Sequence, residues 1–485
     1  MADIYLHGIE TVEKDSGPRP VNTIDTGVIG LVGTAPDADD TLWPVDTPIA
    51  IHGINDVPEA LGATGTLLDA INAIFDQATR VSQTIVLVRV EEGANLAATV
   101  GNIIGSPTAR TGLHALRKAK TLLNLDPKLL IAPGFTGHRP TDGVASIAVT
   151  TQGDGYDEAP VVSFTGGGGF GAAAHAVIDA TGKVTSIVVD NPGQGYAIAP
   201  TVVLTGGGFS TLAVATATLG AVANPVAVEM VILANILRAC AIVDGPNSTT
   251  AAAVTYRLDF NSDRLLIVDP FVKIQKGASI VSEPASARIA GLQAQIDYAE
   301  GFWFSPSNHV IQGIVGAHRV VEHSLSDPSV ESQFLNKNAV ATIVRSPSGG
   351  FKLWGSRVPS SDSLKVFWSV RRAHDTIITS IELAHEPFID KPFSLQVLTD
   401  IAETVNQALR KWKAMGATLG GRVWLDAGLN TKESWASGHL FVSYDAEGPA
   451  PIEHITFQFS RNTGYYEQLG QDAIREIARL SGRAI

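Results

Sequence analysis

The stretch GDGYDEAPVVSFTGGGGFGAAAHA, from Gly153, contains a literal G-x-G-x-x-G between Gly166 and Gly171. A dinucleotide-binding turn needs such glycines after a strand and opening a helix, with an acidic residue about 20 positions on. Val161 to Phe164 could be that strand, and Asp179 or Asp190 the acid. The residues after the glycines, HAVIDATGKVTSIVVDN, argue otherwise. They alternate, turn at Gly182-Lys183 and resume β patterning, so a hairpin is expected. The pattern GxGYxxAPxVxxTGGG also returns from Gly193, at a spacing of 40 residues, with Thr211 in the place of Gly171. A repeat with altered glycines reads as a structural β unit rather than a nucleotide site. No G-x-x-x-x-G-K-[ST] occurs.

Other reactive types are scattered. Asp244 and Asp269 end predicted strands, where α/β enzymes place catalytic carboxylates, but D-G and D-P turns explain them equally. His385-Glu386 lacks the second histidine of H-E-x-x-H, because position 389 is Ile. His309, His318 and His323 have neither zincin nor zinc-finger spacing. Ser346 lacks a G-x-S-x-G elbow. The residues therefore predict no catalytic set, no metal site and no cofactor. Cys240 is the one cysteine, in an apolar context, and reads as a buried structural thiol.

At the level of elements, 485 residues with 45% hydrophobic and 17% charged side chains allow several packed domains. A net charge of -13 argues against nonspecific nucleic-acid binding. VAVEMVILANILRACAIV carries Glu229 and Arg238, so a buried helix running into a strand is expected, with no membrane insertion. The first residues lack the apolar core of a signal peptide, and a cytoplasmic product is expected.

The fold expected is an α/β and α+β multidomain chain, a mixed-sheet core with a small inserted all-β domain and extended terminal arms. Residues 1–25 read as an N-terminal arm. Residues 26–140 and 221–320 read as two parts of one α/β domain, since strands such as TIVLVRV, CAIVDG and RLLIVDP alternate with helical patterns. Between them, 141–220 is nearly free of charge and rich in Gly, Ala, Thr and Val, which suits a β domain inserted in a surface loop. Residues 321–468 read as a C-terminal domain, in which DSLKVFWSVRRAHDTI and PFSLQVLTD read as strands and connecting pieces, and GFWFSPS before them as a strand. DIAETVNQALRKW, 400–412, is expected as an amphipathic helix opened by a capping box of Asp400 and Glu403. A similar box is expected at Thr66 and Asp69. Residues 469–485 read as a C-terminal helix with a basic tail.

Six stretches together resemble a contractile tail sheath protein of tailed bacteriophages and of contractile bacteriocins related to them. They are HGIETVEKDSGPRPVNTIDTGVIGLVGTAPDAD; IVLVRVEEG with TGLHALRKAK; KLLIAPGF; VRSPSGGFKLWGSR; FWSVRRAHDTIITSIE with FIDKPF; and DIAETVNQALRKW with GGRVWLDAGLNTKE and IEHITFQF. They occur in family order across nearly the whole chain except 141–220. The resemblance implies a subunit that stacks around an inner tail tube and contracts to drive it through a bacterial envelope. It implies as partners other copies of the chain, the tube protein, and baseplate and tail terminator proteins. It places the C-terminal domain innermost and has both arms adding strands to neighbours.

On that reading Ile4, Leu6, Ile9 and Val12 belong to an exchanged strand, which needs backbone hydrogen bonds more than a side-chain code. Arg475, Arg479 and Arg483 would meet an acidic tube, or else form a solvated helix face. Arg345, Lys352, Trp354 and Arg357 are expected to pack within the inner domain. The insert is expected on the outer surface, as decoration rather than as a receptor or glycan site. An α/β enzyme using Asp244 or Asp269, and a β-repeat adhesion module, stand as the alternatives.

Overall fold

The computed structural model describes residues 20–57, 59–79 and 83–482. Ile4, Leu6, Ile9, Val12 and Arg483 lie outside the described residues. The chain divides between Ala450 and Pro451 into two units, each described by itself.

The first unit begins with β1 (Ile29–Thr34), β2 (Pro48–Ile51), α1 (Leu67–Phe75), β3 (Ile85–Val90), α2 (Leu96–Ile104), α3 (Ala119–Leu123) and β4 (Leu129–Ile131). Six strands come next without a helix: β5 (Gly143–Thr151), β6 (Val161–Thr165), β7 (Phe170–Ile178), β8 (Val184–Gln194), β9 (Thr201–Thr205) and β10 (Val214–Gly220). Alternation returns with α4 (Pro225–Leu237), β11 (Cys240–Asp244), α5 (Thr250–Leu258) and β12 (Leu265–Val268).

The main sheet has the order β12-β11-β4-β1-β3-β2. It is parallel except for β2, which runs antiparallel to β3. Its strands β1, β3, β4, β11 and β12 are buried throughout, as parallel strands covered on both faces must be. One apolar cluster lies on each face. Leu31, Ile71 and Ile289 belong to one, and Val88, Met230 and Tyr256 to the other. β4 and β11 are direct neighbours, with Leu129 opposite Cys240, so the six-stranded segment occupies a single crossover of this sheet.

That segment is built about a local pseudo-twofold axis. β6 pairs antiparallel with β9, Val161 opposite Thr205 and Thr165 opposite Thr201, which puts the two repeat copies head to tail with Ser163 facing Val203. β7 of the first copy pairs with β8 of the second, and β10 of the second with β5 of the first. The register irregularities match too: 173/174 and 177/178 in β7 correspond to 214/215 and 218/219 in β10. The glycines sit where the copies meet. Gly166, Gly167 and Gly168 all have positive φ, as do Gly206, Gly207 and Gly208. The Gly167 carbonyl accepts from Ala197 N–H and the Gly207 carbonyl from Asp157 N–H, both at 2.9 Å. A Cβ at Gly167 would come within 2.9 Å of Tyr196, and one at Gly207 within 2.8 Å of Tyr156. Each glycine turn is thus laid on the buried tyrosine of the other copy, in a conformation only glycine adopts without strain. Gly171 itself lies in strand β7, so these glycines open a strand and not a phosphate-binding helix.

The chain continues through β13 (Val272–Lys276), β14 (Ser279–Glu283), α6 (Ser286–Ala299), β15 (Val310–Ile311), β16 (Gly316–Ala317), α7 (Glu331–Lys337), β17 (Thr342–Arg345) and β18 (Phe351–Trp354). These strands make two small sheets, β14-β13-β16 and β15-β18-β17. The first unit closes with α8 (Trp368–His385), α9 (Leu395–Met415), β19 (Gly420–Trp424), α10 (Lys432–Ala436) and β20 (Ser443–Glu447). The second unit is a run without regular secondary structure to residue 462 and one helix, α11 (Gly464–Leu480).

The structure corrects several local expectations. FWSVRRAHDTI is helix α8, because Ala373, Ile377 and Ile381 recur at helical spacing and are buried together. PFSLQVLTD opens α9, whose cap is Ser394, accepting from Val397 N–H at 3.2 Å. Asp400 therefore lies inside the helix and accepts from Gln396 at 2.6 Å instead of capping. Thr66 makes no cap bond either, since its hydroxyl accepts from Thr34 N–H at 3.1 Å. GFWFSPS is not a strand; Phe302, Trp303 and Phe304 stack in an irregular turn.

Candidate assembly surfaces

The residues with catalytic potential are built into structure. Asp244 is fully buried at the end of β11 and binds the start of α6, accepting from Ser286 N–H at 2.8 Å and from the Ser286 hydroxyl at 2.5 Å. Burial pushes its carboxyl up to about 6, against the lowering effect of those hydrogen bonds. Asp269 is fully buried and paired with Arg319 at 2.8 Å. Here too burial raises the carboxyl, and Arg319 opposes it. His385 bonds the Ile381 carbonyl at 2.6 Å, His309 pairs with Glu300 at 2.9 Å, and His318 meets the Ser282 hydroxyl at 2.7 Å. His323 faces Ser332 at 3.1 Å, and Ser346 bonds Ser348 at 2.8 Å. These groups do not converge. Among the described residues no group of three or more His, Cys, Asp or Glu could hold a metal ion.

Lys352 is nearly buried, bonded to Asn308 at 2.7 Å with its ammonium 4.5 Å from the Trp354 ring centre. Arg357 lies 5.9 Å from the Phe367 ring, and Arg345 ends β17 facing solvent.

The side chains that do converge lie at the end of the first unit. α8, α9 and β19 enclose a core of Ile377, Val405, Leu409 and Trp412. The last residues of the expected 1–25 arm are pinned to it. Val21 is buried there, Thr23 accepts from Trp412 Nε1 at 3.1 Å, and Ile24 N–H bonds Ser380 at 3.1 Å. A buried ionic seam ties these helices to the main sheet. Asp375 pairs with Arg264 and Arg371, and Asp297 with Arg372. β19 and β20 form a sheet of two strands, Gly420 opposite Glu447 and Trp424 opposite Ser443, each keeping an outer edge among the described residues.

In the second unit the run 452–462 is exposed and has no regular secondary structure, and Ile452, Ile455, Phe457 and Phe459 are 60–90% accessible. α11 is amphipathic, yet Tyr466, Leu469, Ile477 and Leu480 are all exposed. Arg475 and Arg479 are exposed as well, and each faces an acid three residues back: Asp472 at 3.7 Å and Glu476 at 2.7 Å. A run of alternating apolar residues and an amphipathic helix with their apolar side chains bare are built to be covered.

Three family descriptions match in order along the chain. They are the tail sheath protein Gp18 domain III N-terminal region over residues 26–90, the phage tail sheath protein central domain over 205–357, and the phage tail sheath C-terminal domain over 360–461. The tail sheath protein of Burkholderia phage BcepMu is 30% identical, over 96% of this chain and 98% of that protein. The chain belongs to the phage tail sheath protein family. This sheath chain is also 30% identical to a putative prophage major tail sheath protein of Pseudomonas aeruginosa, over 94% of this chain and 96% of that one. Among solved structures, it shares the fold of the PVC sheath complex of an extracellular contractile injection system in its contracted state. That match covers 96% of this chain and 100% of the other, with a TM-score of 0.59 at 15% identity. The helical sheath of the anti-feeding prophage in its contracted state gives 0.58 at 16% identity, over 95% of this chain and 100% of that one. As a sheath protein the chain is a structural subunit of a contractile tail sheath.

Sequence reasoning found the body of α9 at 400–412 but read its opening, and all of α8, as strands and connecting pieces. The signal was present in the spacing of Ala373, Ile377 and Ile381 and was masked by the aromatic and β-branched residues around it.

Proposed function

We propose that copies of this chain polymerise around an inner tail tube, as stacked rings or a helix, and shorten to drive the tube through a bacterial envelope for genome delivery. The observation that carries this reading is the exposed run 452–462, with alternating apolar residues and no helix or strand of its own, in a chain whose β19–β20 sheet has free edges. Strand addition to such an edge satisfies backbone groups otherwise at risk of indiscriminate pairing. In the proposed mesh, 451–462 adds to this sheet in one neighbour. Residues 1–25, through Ile4, Leu6, Ile9 and Val12, add to another. The pinning of Val21, Thr23 and Ile24 on α8 and α9 would anchor the root of that arm. Heterologous contacts of this kind build rings where the rotation closes and a helix where it does not.

The 141–220 segment is proposed as a surface module, and 321–468 as the tube-proximal region. Tube, baseplate and tail terminator proteins are the proposed partners, with assembly in the host cytoplasm and no direct nucleic-acid contact. Arg475, Arg479 and Arg483 are proposed to face an acidic tube. Negative-stain microscopy of the purified chain tests the whole reading, with long hollow cylinders as the expected result. A monomer that forms none, even with tubes present, counts against it. Reversing Arg475 and Arg479 to Glu tests the tube contact. Sheaths that still form on tubes at normal salt and length would refute that contact alone.

A further inference from the structure

Beside the free edge of β20 the first unit carries an apolar groove of about 870 Å³. It runs between the end of α8, the start of α9 and residues 438–444, and Phe388, Ile389, Phe393, Leu398, Leu440 and Phe441 line it. Ile389, Phe393 and Phe441 are 71%, 42% and 41% accessible, an apolar cluster open to solvent. In the second unit Tyr466, Leu469, Ala473, Ile477 and Leu480 recur every three or four residues and form one stripe along α11. We propose that the α11 stripe of one subunit seats in this groove on a second subunit. The inference rests on the sheath reading, because it needs copies held side by side.

Three observations favour this occupant. The first is continuity. Phe441, Val442 and Tyr444 wall the groove and lead into β20, the strand to which 451–462 of a neighbour is proposed to add. Only Ser460 to Thr463 separate Phe459 from α11, a reach of about 14 Å when extended. Pairing the strand therefore delivers the helix to the groove. The second is charge. Glu476, paired with Arg479 at 2.7 Å, borders the stripe, and the groove rim carries Lys391, His385 and His439. Of the acids there, Glu382 is already paired with Arg238, which leaves Asp390 as the opposing charge. The third is orientation. Arg475 and Arg479 lie on the face of α11 away from the stripe, so seating the helix leaves both, with their Asp472 and Glu476 partners, outside the groove. An amphipathic helix read at i, i+3, i+4 and i+7 is the ordinary ligand of such a groove.

Disulfide trapping in the full-length chain tests this. The one native cysteine, Cys240, is buried and its thiol is pushed up to about 12 by burial, so it gives little background. Ile477→Cys combined with Ile389→Cys, oxidised in assembled cylinders, is expected to give a ladder of dimers, trimers and longer species on non-reducing gels. A pair that closes only within one chain, or stays unlinked in cylinders, overturns the proposal. Ile477→Glu and Phe393→Glu, checked for unchanged circular dichroism, are each expected to cut cylinder yield at least tenfold at fixed concentration. Unchanged yield and length in both would sink the groove assignment while leaving the sheath reading standing. Failure of the unsubstituted chain to form cylinders would instead remove the sheath reading, and this inference with it.

Discussion

Asp244 shows how a strand-end carboxylate can be structural. It stands where an α/β enzyme would hold a catalytic acid, yet it is spent on the first turn of α6. The cap residue Ala285 has no side chain to do this. The consequence is a pH dependence with a defined sign. A carboxyl held near 6 in the folded chain and near its ordinary 3.8 when unfolded keeps its proton longer in the native state. Its contribution is fully present below about pH 4 and is lost as pH rises through about 6, by roughly 3 kcal/mol. Asp244→Asn keeps an acceptor for Ser286 N–H and removes the titration. Thermal melts from pH 4 to 7 should show the variant gaining on the parent chain as pH rises. Parallel curves would contradict this.

At the scale of elements, the seam between the main sheet and α8 matters most. Arg264 follows the loop into β12, and Asp375 is on the second turn of α8. Both side chains are nearly buried, and Arg371 shares the same carboxylate. Asp375→Ala leaves the nearly buried Arg264 without a carboxylate, while Arg371 keeps Asp263, and should cost about 3–5 kcal/mol, read as a lowered urea midpoint. A loss under 1 kcal/mol would show that solvent enters the seam. This seam also marks where the sequence stops being legible. The strands of the main sheet announce themselves as unbroken apolar runs, because both their faces are covered. The glycine repeat was legible as a duplicated hairpin unit, because Gly and alternation are local signals. α8 was not legible, because its buried face carries Arg372, Asp375, Thr376 and Ser380 and its apolar moment is diluted. Ionic partners such as Asp297 are 75 residues away in sequence, beyond any local pattern. The groove was hidden for the same reason, being assembled from three separate segments.

For the whole molecule, the insert is seated rather than tethered. Asn191 of β8 donates to Glu229 of α4 at 2.9 Å, Glu229 bonds His114 at 2.8 Å, and Gln194 meets His138 at 2.8 Å. Its two ends are adjacent, with Val222 N–H donating to the Pro140 carbonyl at 2.9 Å. A short linker replacing 141–220 therefore spans the gap without moving the main sheet. Removing the segment bares Ile104 beside Gly171 and leaves Glu229 without Asn191. The excised chain should melt several degrees lower but still form cylinders that contract, as seen by microscopy. Loss of both assembly and contraction would reject a decorative role.

The base of that insert has a mechanical consequence. Gly143 and Gly220 face each other on the last rung of the β5–β10 ladder, so the backbone enters and leaves the module at one point. Tension passing along the chain there would part the ladder rung by rung, like a zip, instead of shearing every rung together. With the zip closed, the load crosses from Pro140 to Val222 and bypasses the eighty-one residues between, leaving the module off the force path.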